Sequence, residues 1–404
     1  MRIVLTNKSV NIAGGENYVL YLASELRKRN HYVIIAPLKD SELADKSKEL
    51  GYETLEMKYS ARGMDEIMLA LDFANKLRAK KVDVIHTNSN TDRTIGALAS
   101  KLLRCKNIAQ IHSHFSVRQR IHHGLRNRLI DHFITDSHSS RNQLLNSDHL
   151  KESRVTAIHI GIPEISIPLP KHQRSLARKN LNIDDSEILI SALGRMVPFK
   201  GHVYLLRAFK KILDRQTNTK LMIIGDGEIK EELLNECNQL NIIDRVIFPG
   251  YRTDTECLLP ATDIFVHPSL VNGGESFPIA VLLALRSGLP IVATDVSDIP
   301  LQVVNGFNGY IVNSANTEML AERISYLATH QDTRVKFGTN SIQHFKNNFT
   351  LSRMTDKTEN LYYSLIREGI NKSGKHCLLV GNKQHQNFLF TKIGADAPHL
   401  TIRD

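Results

Sequence analysis

Two cations in the second half of the chain have the types and surroundings for phosphate chemistry, and one acid follows in a similar glycine-containing loop. Arg195 and Lys200 lie in GRMVPFKG, directly after the apolar run EILISAL, and Glu275 lies in NGGESFP, ahead of the apolar run IAVLLAL. A guanidinium clamps two phosphate oxygens at once, whereas an ammonium supplies a point charge. The loop IGDGE carries Gly225 and Gly227, PGYR carries Tyr251 and Arg252, and Gly273 and Gly274 precede Glu275. Glycines let backbone approach a ligand closely, so two cations among such loops describe a pyrophosphate site. Taken singly, each cation also fits an ordinary surface position, and Glu275 also fits the polar entrance of a buried helix.

The first half adds weaker candidates. In AGGENY, Gly14 and Gly15 precede a helical pattern whose free N–H groups suit an anion, typically by ~1 to 2 kcal/mol. The loop has neither the GxGxxG nor the P-loop spacing, and a tight turn explains it equally. His86 and the HSH stretch, with His112 and His114, fall just after apolar runs, where α/β proteins collect ligand groups.

The elements that must position these residues are short apolar strands alternating with helical periodicity. The patterns predict strands at 2–5, 31–37, 82–86, 107–111 and 132–135, then at 187–193, 220–224, 245–248, 263–267, 289–293 and 309–312. Alternation of this kind predicts α/β architecture, with parallel sheets covered on both faces. A proline-rich basic stretch at 161–182 breaks it. The expected organisation is a first doubly wound domain over 1–165, a linker over 166–186, a second over 187–345, a helical segment over 346–370, and a tail over 371–404 without a readable pattern.

Composition narrows the class. The 404 residues are 42% hydrophobic, enough for two ordinary cores. No apolar run approaches the roughly 18 residues needed to span a bilayer, and the first residues lack a signal-peptide pattern, so a cytoplasmic protein is expected. The four cysteines are far apart, which predicts reduced thiols. Net charge is +10, and residues 101–180 alone carry 14 Lys and Arg against 5 Asp and Glu, or +9. In SVRQRIHHGLRNRLIDHF, Arg118, Arg120, Arg126 and Arg128 alternate with Ile121, Leu125, Leu129 and Ile130. This segment fits a solvated helix face or contact with an anionic membrane surface or acidic acceptor; nucleic acid is disfavoured because no recognised module is present.

The ordered series GRxxxxKG, IGDGE, GYR, HPSxxxGGESFPIAVLLAL, SGLPIVATDVSDIP and NGYIV closely resembles glycosyltransferase family 4, retaining enzymes of the GT-B fold that build bacterial envelope polysaccharide and lipopolysaccharide. The resemblance spans about residues 1 to 370. It implies two Rossmann-like domains facing a cleft, a C-terminal helix crossing back to the first domain, and metal-independent, retaining transfer from a nucleotide-sugar, a UDP-sugar above others, with no cofactor. The acceptor would be a glycan or lipid-linked glycan on the first domain, with the protein cytoplasmic or peripheral on the inner membrane face. The resemblance implies that Arg195 and Lys200 bind donor phosphates, that Gly14 and Gly15 approach them, and that Tyr251 and Arg252 lie by the base. Glu275 would hold sugar hydroxyls, with Gly225, Gly227, Gly274, Ser276 and Phe277 lining the donor pocket. His114 is assigned to the sugar or acceptor side, with His112 beside it; spacing does not separate them. One departure stands out: the family's second acid, eight positions after the first, is here Leu283, and Pro278 removes a backbone N–H from the same loop. Leu283 motivates the alternative of a non-catalytic relative; a nucleotide-sugar epimerase fits the loops less well.

Overall fold

The computed structural model describes residues 1–11, 14–59, 64–112, 121–165, 171–215, 218–271 and 273–373. Seven strands form the first sheet: β1 (Arg2–Asn7), β2 (Tyr32–Pro37), β3 (Glu53–Thr54), β4 (Val84–Thr87), β5 (Lys106–Ile111), β6 (His132–Thr135) and β7 (Val155–Ala157), in the order β3-β2-β1-β4-β5-β6-β7. Six form the second: β8 (Ile188–Leu193), β9 (Thr219–Ile224), β10 (Val246–Ile247), β11 (Ile264–His267), β12 (Ile291–Thr294) and β13 (Gly309–Val312), in the order β10-β9-β8-β11-β12-β13. Every pairing is parallel. Central strands such as β1, with Ile3, Val4 and Leu5 all fully buried, must be covered on both faces, and the alternating helices cover them.

In each sheet the strand order reverses at one place, between β1 and β4 and between β8 and β11. The crevice at such a switch point, outside the carboxyl ends of the strands, is where open α/β sheets bind ligands. The loops singled out above leave those ends.

The two sheets belong to one packed body. A single apolar cluster joins Ile3, Val19 and Leu22 of the first unit to Val281 and Leu282 of the second and to Tyr362 and Leu365 of the last helix. That helix, Leu351–Ser373, crosses back to the first unit. The chain leaves the second unit beside Gly161, where an added Cβ would stand 2.3 Å from the Thr350 carbonyl oxygen, so only glycine fits. Ile162 then exchanges backbone bonds with Phe349 and Leu351. Arg29 donates to Asp356 and Glu359, and the Tyr362 hydroxyl lies 2.6 Å from His86 Nδ1 inside the first unit.

Two local features depart from expectation. Within 166–186, read as linker, Lys171–Asn180 forms a helix. Its Arg178 is fully buried and donates to the carbonyls of Ala261 and Glu187 and to Asp263, which fixes the helix to the second unit. Strands β3 and β7, of two and three residues at the edges of the first sheet, carry too short a pattern to be read as strands. Among the described residues, no helix is long and apolar enough to cross a membrane.

Candidate functional site

The second unit contributes a charged pair at its switch point. After β8 the chain makes a short turn at Pro198–Lys200, and the Lys200 stem lies over Gly194, where an added Cβ would stand 3.7 Å from it. Lys200 Nζ donates to Glu275 Oε2 at 2.6 Å. The same oxygen accepts from Ser269 Oγ at 2.7 Å and lies 3.0 Å from His267 Nε2, both at the end of β11. Burial opposes ionisation of Glu275, but Lys200 and His267 more than offset it and hold the carboxyl well below its ordinary range. Glu275 is therefore an anion whose described bonds all fall on Oε2. Gly274, at φ +84°, turns the chain into it, and Gly273 leaves the space that a Cβ would need against Phe199. Arg195 is exposed and has no ion pair among the described residues.

Across the crevice, the first unit presents His112, directly after β5. Its Nδ1 lies 2.9 Å from Asp136 Oδ2, at the end of β6. Gln110 Nε2 donates to the other Asp136 oxygen at 2.5 Å, and the Tyr18 hydroxyl donates to Gln110 at 3.1 Å, completing a buried polar chain. Desolvation pulls the His112 pKa down, but Asp136, with Glu16 and Asp92, raises it above the ordinary value. Nε2 of His112 is buried without a hydrogen-bond partner among the described residues, the kind of atom that a ligand satisfies. Gly15 sits 3.6 Å from the His112 ring, and Gly14 sits 3.5 Å from Ile279 of the second unit, both measured to an added Cβ.

Serines stitch the two sides together. Ser137, next to Asp136, lies 2.8 Å from Ser276, next to Glu275, and Ser140 lies 3.0 Å from the same hydroxyl. Phe277 stacks on His159 of the first unit, with ring centroids 4.6 Å apart. Ser276 and Phe277, expected to line the donor pocket, are thus committed to the seam between the units.

Other expectations sort in the same way. Gly225 and Gly227 leave room for the carbonyl oxygens of Gly194 and Met196, which an added Cβ would meet at 2.0 and 2.4 Å. They let the loops after β8 and β9 pack on each other, a structural need for both glycines. Tyr251 is 67% exposed, and Arg252 is bound by Asp254 at 2.5 and 2.7 Å. Leu283 is half-buried and packs against the shared apolar cluster. His114, Arg118 and Arg120 lie outside the described residues. Of the remaining arginines, Arg128 is exposed, but Arg126 is buried beside Asn127 and its pKa is pushed down to about 10 by desolvation, which removes it from any surface contact.

His267, Ser269, Asp136 and Gln110 were not singled out in the sequence. The signal was present for two of them: His267 ends a strand in HPS, and Asp136 follows a strand in TDS. One further group has donor types suited to a metal: His138, His159 and Asp298, whose ligand atoms all lie within 4.8 Å of one another at the seam.

Comparisons with known proteins agree with this geometry. Residues 12–164 match the model of Glycosyltransferase Family 4, and residues 173–344 match that of Glycosyl transferases group 1. The UDP-Gal:alpha-D-GlcNAc-diphosphoundecaprenol alpha-1,3-galactosyltransferase of Escherichia coli is 25% identical over 305 residues, covering 72% of this chain and 77% of that protein. The crystal structure of a glycosyltransferase from Rickettsia africae superposes with a TM-score of 0.82 at 19% identity, covering 91% of this chain and 98% of the other. The Anabaena protein HepE, in complex with UDP, superposes with a TM-score of 0.78 at 18% identity, covering 90% and 100%. With family models matching both halves and GT-B glycosyltransferases sharing its fold, the chain belongs to the glycosyltransferases of family 4 and group 1.

Proposed function

We propose that the protein transfers a sugar from a UDP-sugar to a lipid-linked or glycan acceptor of the bacterial cell envelope, with retention at the anomeric carbon and with neither a catalytic metal nor a cofactor. The observation that carries this reading is the juxtaposition of exposed Arg195 and the Lys200–Glu275 pair with the His112–Asp136 pair across one crevice. Arg195 and Lys200 stabilise the charge that grows on the leaving diphosphate, electrostatic work that needs no ion. Gly14 and Gly15 bring backbone to the same phosphates, and Tyr251 with Arg252 meets the base. Glu275 already commits Oε2 to three protein groups, so Oε1 is the oxygen offered to sugar hydroxyls. His112, aimed by Asp136, takes the sugar or acceptor side.

The name of the Escherichia coli relative supports both donor and acceptor classes, since it couples a UDP-sugar with a diphosphoundecaprenol-linked one. A lipid-linked acceptor requires the first unit to meet a membrane surface. The helix Met64–Arg78 supports that requirement: its outward face carries Met64, Ile67, Met68 and Leu71, 72%, 45%, 61% and 40% exposed, at i, i+3, i+4 and i+7. Its Glu66 is within electrostatic reach of Arg126, the buried member of the basic stretch. A lipid surface is the occupant that such an exposed apolar stripe fits.

The test is transfer from a panel of UDP-sugars to diphosphoundecaprenol-linked acceptors, with product anomers assigned by NMR. Arg195→Ala and Lys200→Ala should each lower turnover at least a hundredfold, with full activity of the parent chain in EDTA. Unimpaired transfer by both variants would overturn the assignment. A parent chain that binds UDP but turns over no donor would favour the second reading, a non-catalytic relative, for which Leu283 is the specific motive.

A further inference from the structure

His138, His159 and Asp298 lie outside the donor chemistry described above, and their arrangement is not explained by packing alone. His138 opens the helix His138–Asn146, and His159 follows β7, both in the first unit; Asp298 follows β12 in the second. The Asp298 carboxylate accepts the backbone N–H groups of His138 at 2.6 Å and Ser139 at 3.1 Å. Its Oδ2 also lies 3.2 Å from His159 Nε2. The His159 ring is fixed between Phe277, on which it stacks, and His138, which meets it edge-on with centroids 5.0 Å apart. Asp298 is buried, His159 is partly buried, and His138 is exposed, which leaves a side open to solvent.

We infer that this trio is a binding site for a divalent transition metal of the zinc class, which clamps the first domain to the second. Two imidazoles and a carboxylate form a nitrogen-rich set that suits Zn²⁺ and Co²⁺ and disfavours the oxygen-seeking Mg²⁺ and Ca²⁺. Ligand atoms around tetrahedral Zn²⁺, each about 2.0 to 2.1 Å from the metal, stand about 3.3 Å apart. His159 and Asp298 already match that spacing. His138 closes the rest by rotation of an exposed side chain, and water takes the fourth position. The outer shell is built: the two backbone N–H groups orient Asp298, and Phe277 orients His159. The positive end of the His138–Asn146 helix opposes a cation, but the Asp298 carboxylate stands in front of its N–H groups. On binding, the neutral His159 ring carries its proton on Nδ1, which leaves the Nε2 lone pair for the metal.

The test uses the full chain, tag-free and stripped with EDTA, because its 18 histidines include others able to bind metal weakly. Zn²⁺ is titrated by calorimetry and Co²⁺ by its visible d–d absorption. One equivalent should saturate the site with micromolar or tighter affinity, raise the thermal midpoint, and slow amide exchange at 137–141 and 296–300, on both sides of the seam. His138→Ala and His159→Ala should each weaken binding at least tenfold. His138→Ala should keep the metal-free melting temperature of the parent, since that imidazole is exposed, so loss of binding there is not a folding failure. Absence of stoichiometric binding, or binding that neither substitution weakens, would leave the trio as a hydrogen-bonded seam and overturn the proposal.

Discussion

Glu275 shows how much one oxygen can be asked to do. Lys200, Ser269 and His267 converge on its Oε2, so the carboxylate is held in one orientation before any ligand arrives. Eight residues further on, in the helix Ile279–Arg286, Leu283 presents a half-buried apolar group where the family's second acid would grip a ribose. Leu283→Glu places a carboxylate at the edge of the cluster, where its charged end can reach solvent, at a cost of about 1 kcal/mol in stability. One charge-assisted hydrogen bond to the ribose contributes ~1.5 to 3 kcal/mol, so UDP affinity should rise roughly tenfold to a hundredfold. Calorimetric titration checks this; an unchanged or weaker Kd would show that position 283 does not face the ribose. The loop positions of Arg195, Lys200 and Glu275 were legible in the sequence because each follows a readable strand. Their partners were not. Whether Ser276 turns to a ligand or to Ser137, 139 residues away, is decided by closure of the two units, which no local pattern records.

At the scale of elements, a strand is readable when its apolar run is long enough to be buried on both faces. The longer strands meet that condition; β10, of only two residues, was legible through the apolar run RVIF around it, whereas β3 (ET) and β7 (VTA) interrupt theirs with polar residues. The helix Lys171–Asn180 escaped for another reason: it is nearly all polar, and prolines precede it, yet buried Arg178 anchors it through carbonyls and Asp263 rather than through an apolar face. The helix Met64–Arg78 is the opposite case, with apolar residues on both faces. Ala70, Phe73, Ala74 and Leu77 face the core, and Met64, Ile67, Met68 and Leu71 face out. If the outer stripe docks on anionic lipid, Ile67→Glu with Met68→Glu should reduce sedimentation with vesicles containing roughly 30 to 40% anionic lipid by at least tenfold. Neither side chain is in the core, so the melting temperature should hold within a few degrees. Equal sedimentation of parent and variant would sink membrane docking through this helix while leaving donor chemistry untouched.

The molecule as a whole carries an acid sensitivity set by histidines it keeps neutral. Desolvation lowers the pKa of His86 to about 3, with His112 adding to the effect. It lowers His202 to about 4 and His132 to about 4, with Lys200 and Arg154 respectively contributing. His86 also meets Tyr362 of the crossover helix, so its neutral form belongs to the contact that joins that helix to the first unit. An unfolded histidine titrates near 6.5, so below that pH the unfolded chain binds protons that the folded chain refuses. The sign follows: stability is fully present above about pH 6.5 and is lost as pH falls towards 4, at ~1.4 kcal/mol per pH unit for each histidine. Three such groups give a slope of ~4 kcal/mol per unit, comparable with the whole ~5 to 15 kcal/mol of an ordinary domain. The depressed carboxyl of Glu275 adds its own loss only at lower pH, below its ordinary range. Urea midpoints at pH 7, 6 and 5 should therefore fall steeply before carboxylates begin to protonate. His202→Leu removes one of these titrating groups and should flatten the slope; midpoints that stay level down to pH 5 in the parent chain would show that these histidines accept protons in the folded state.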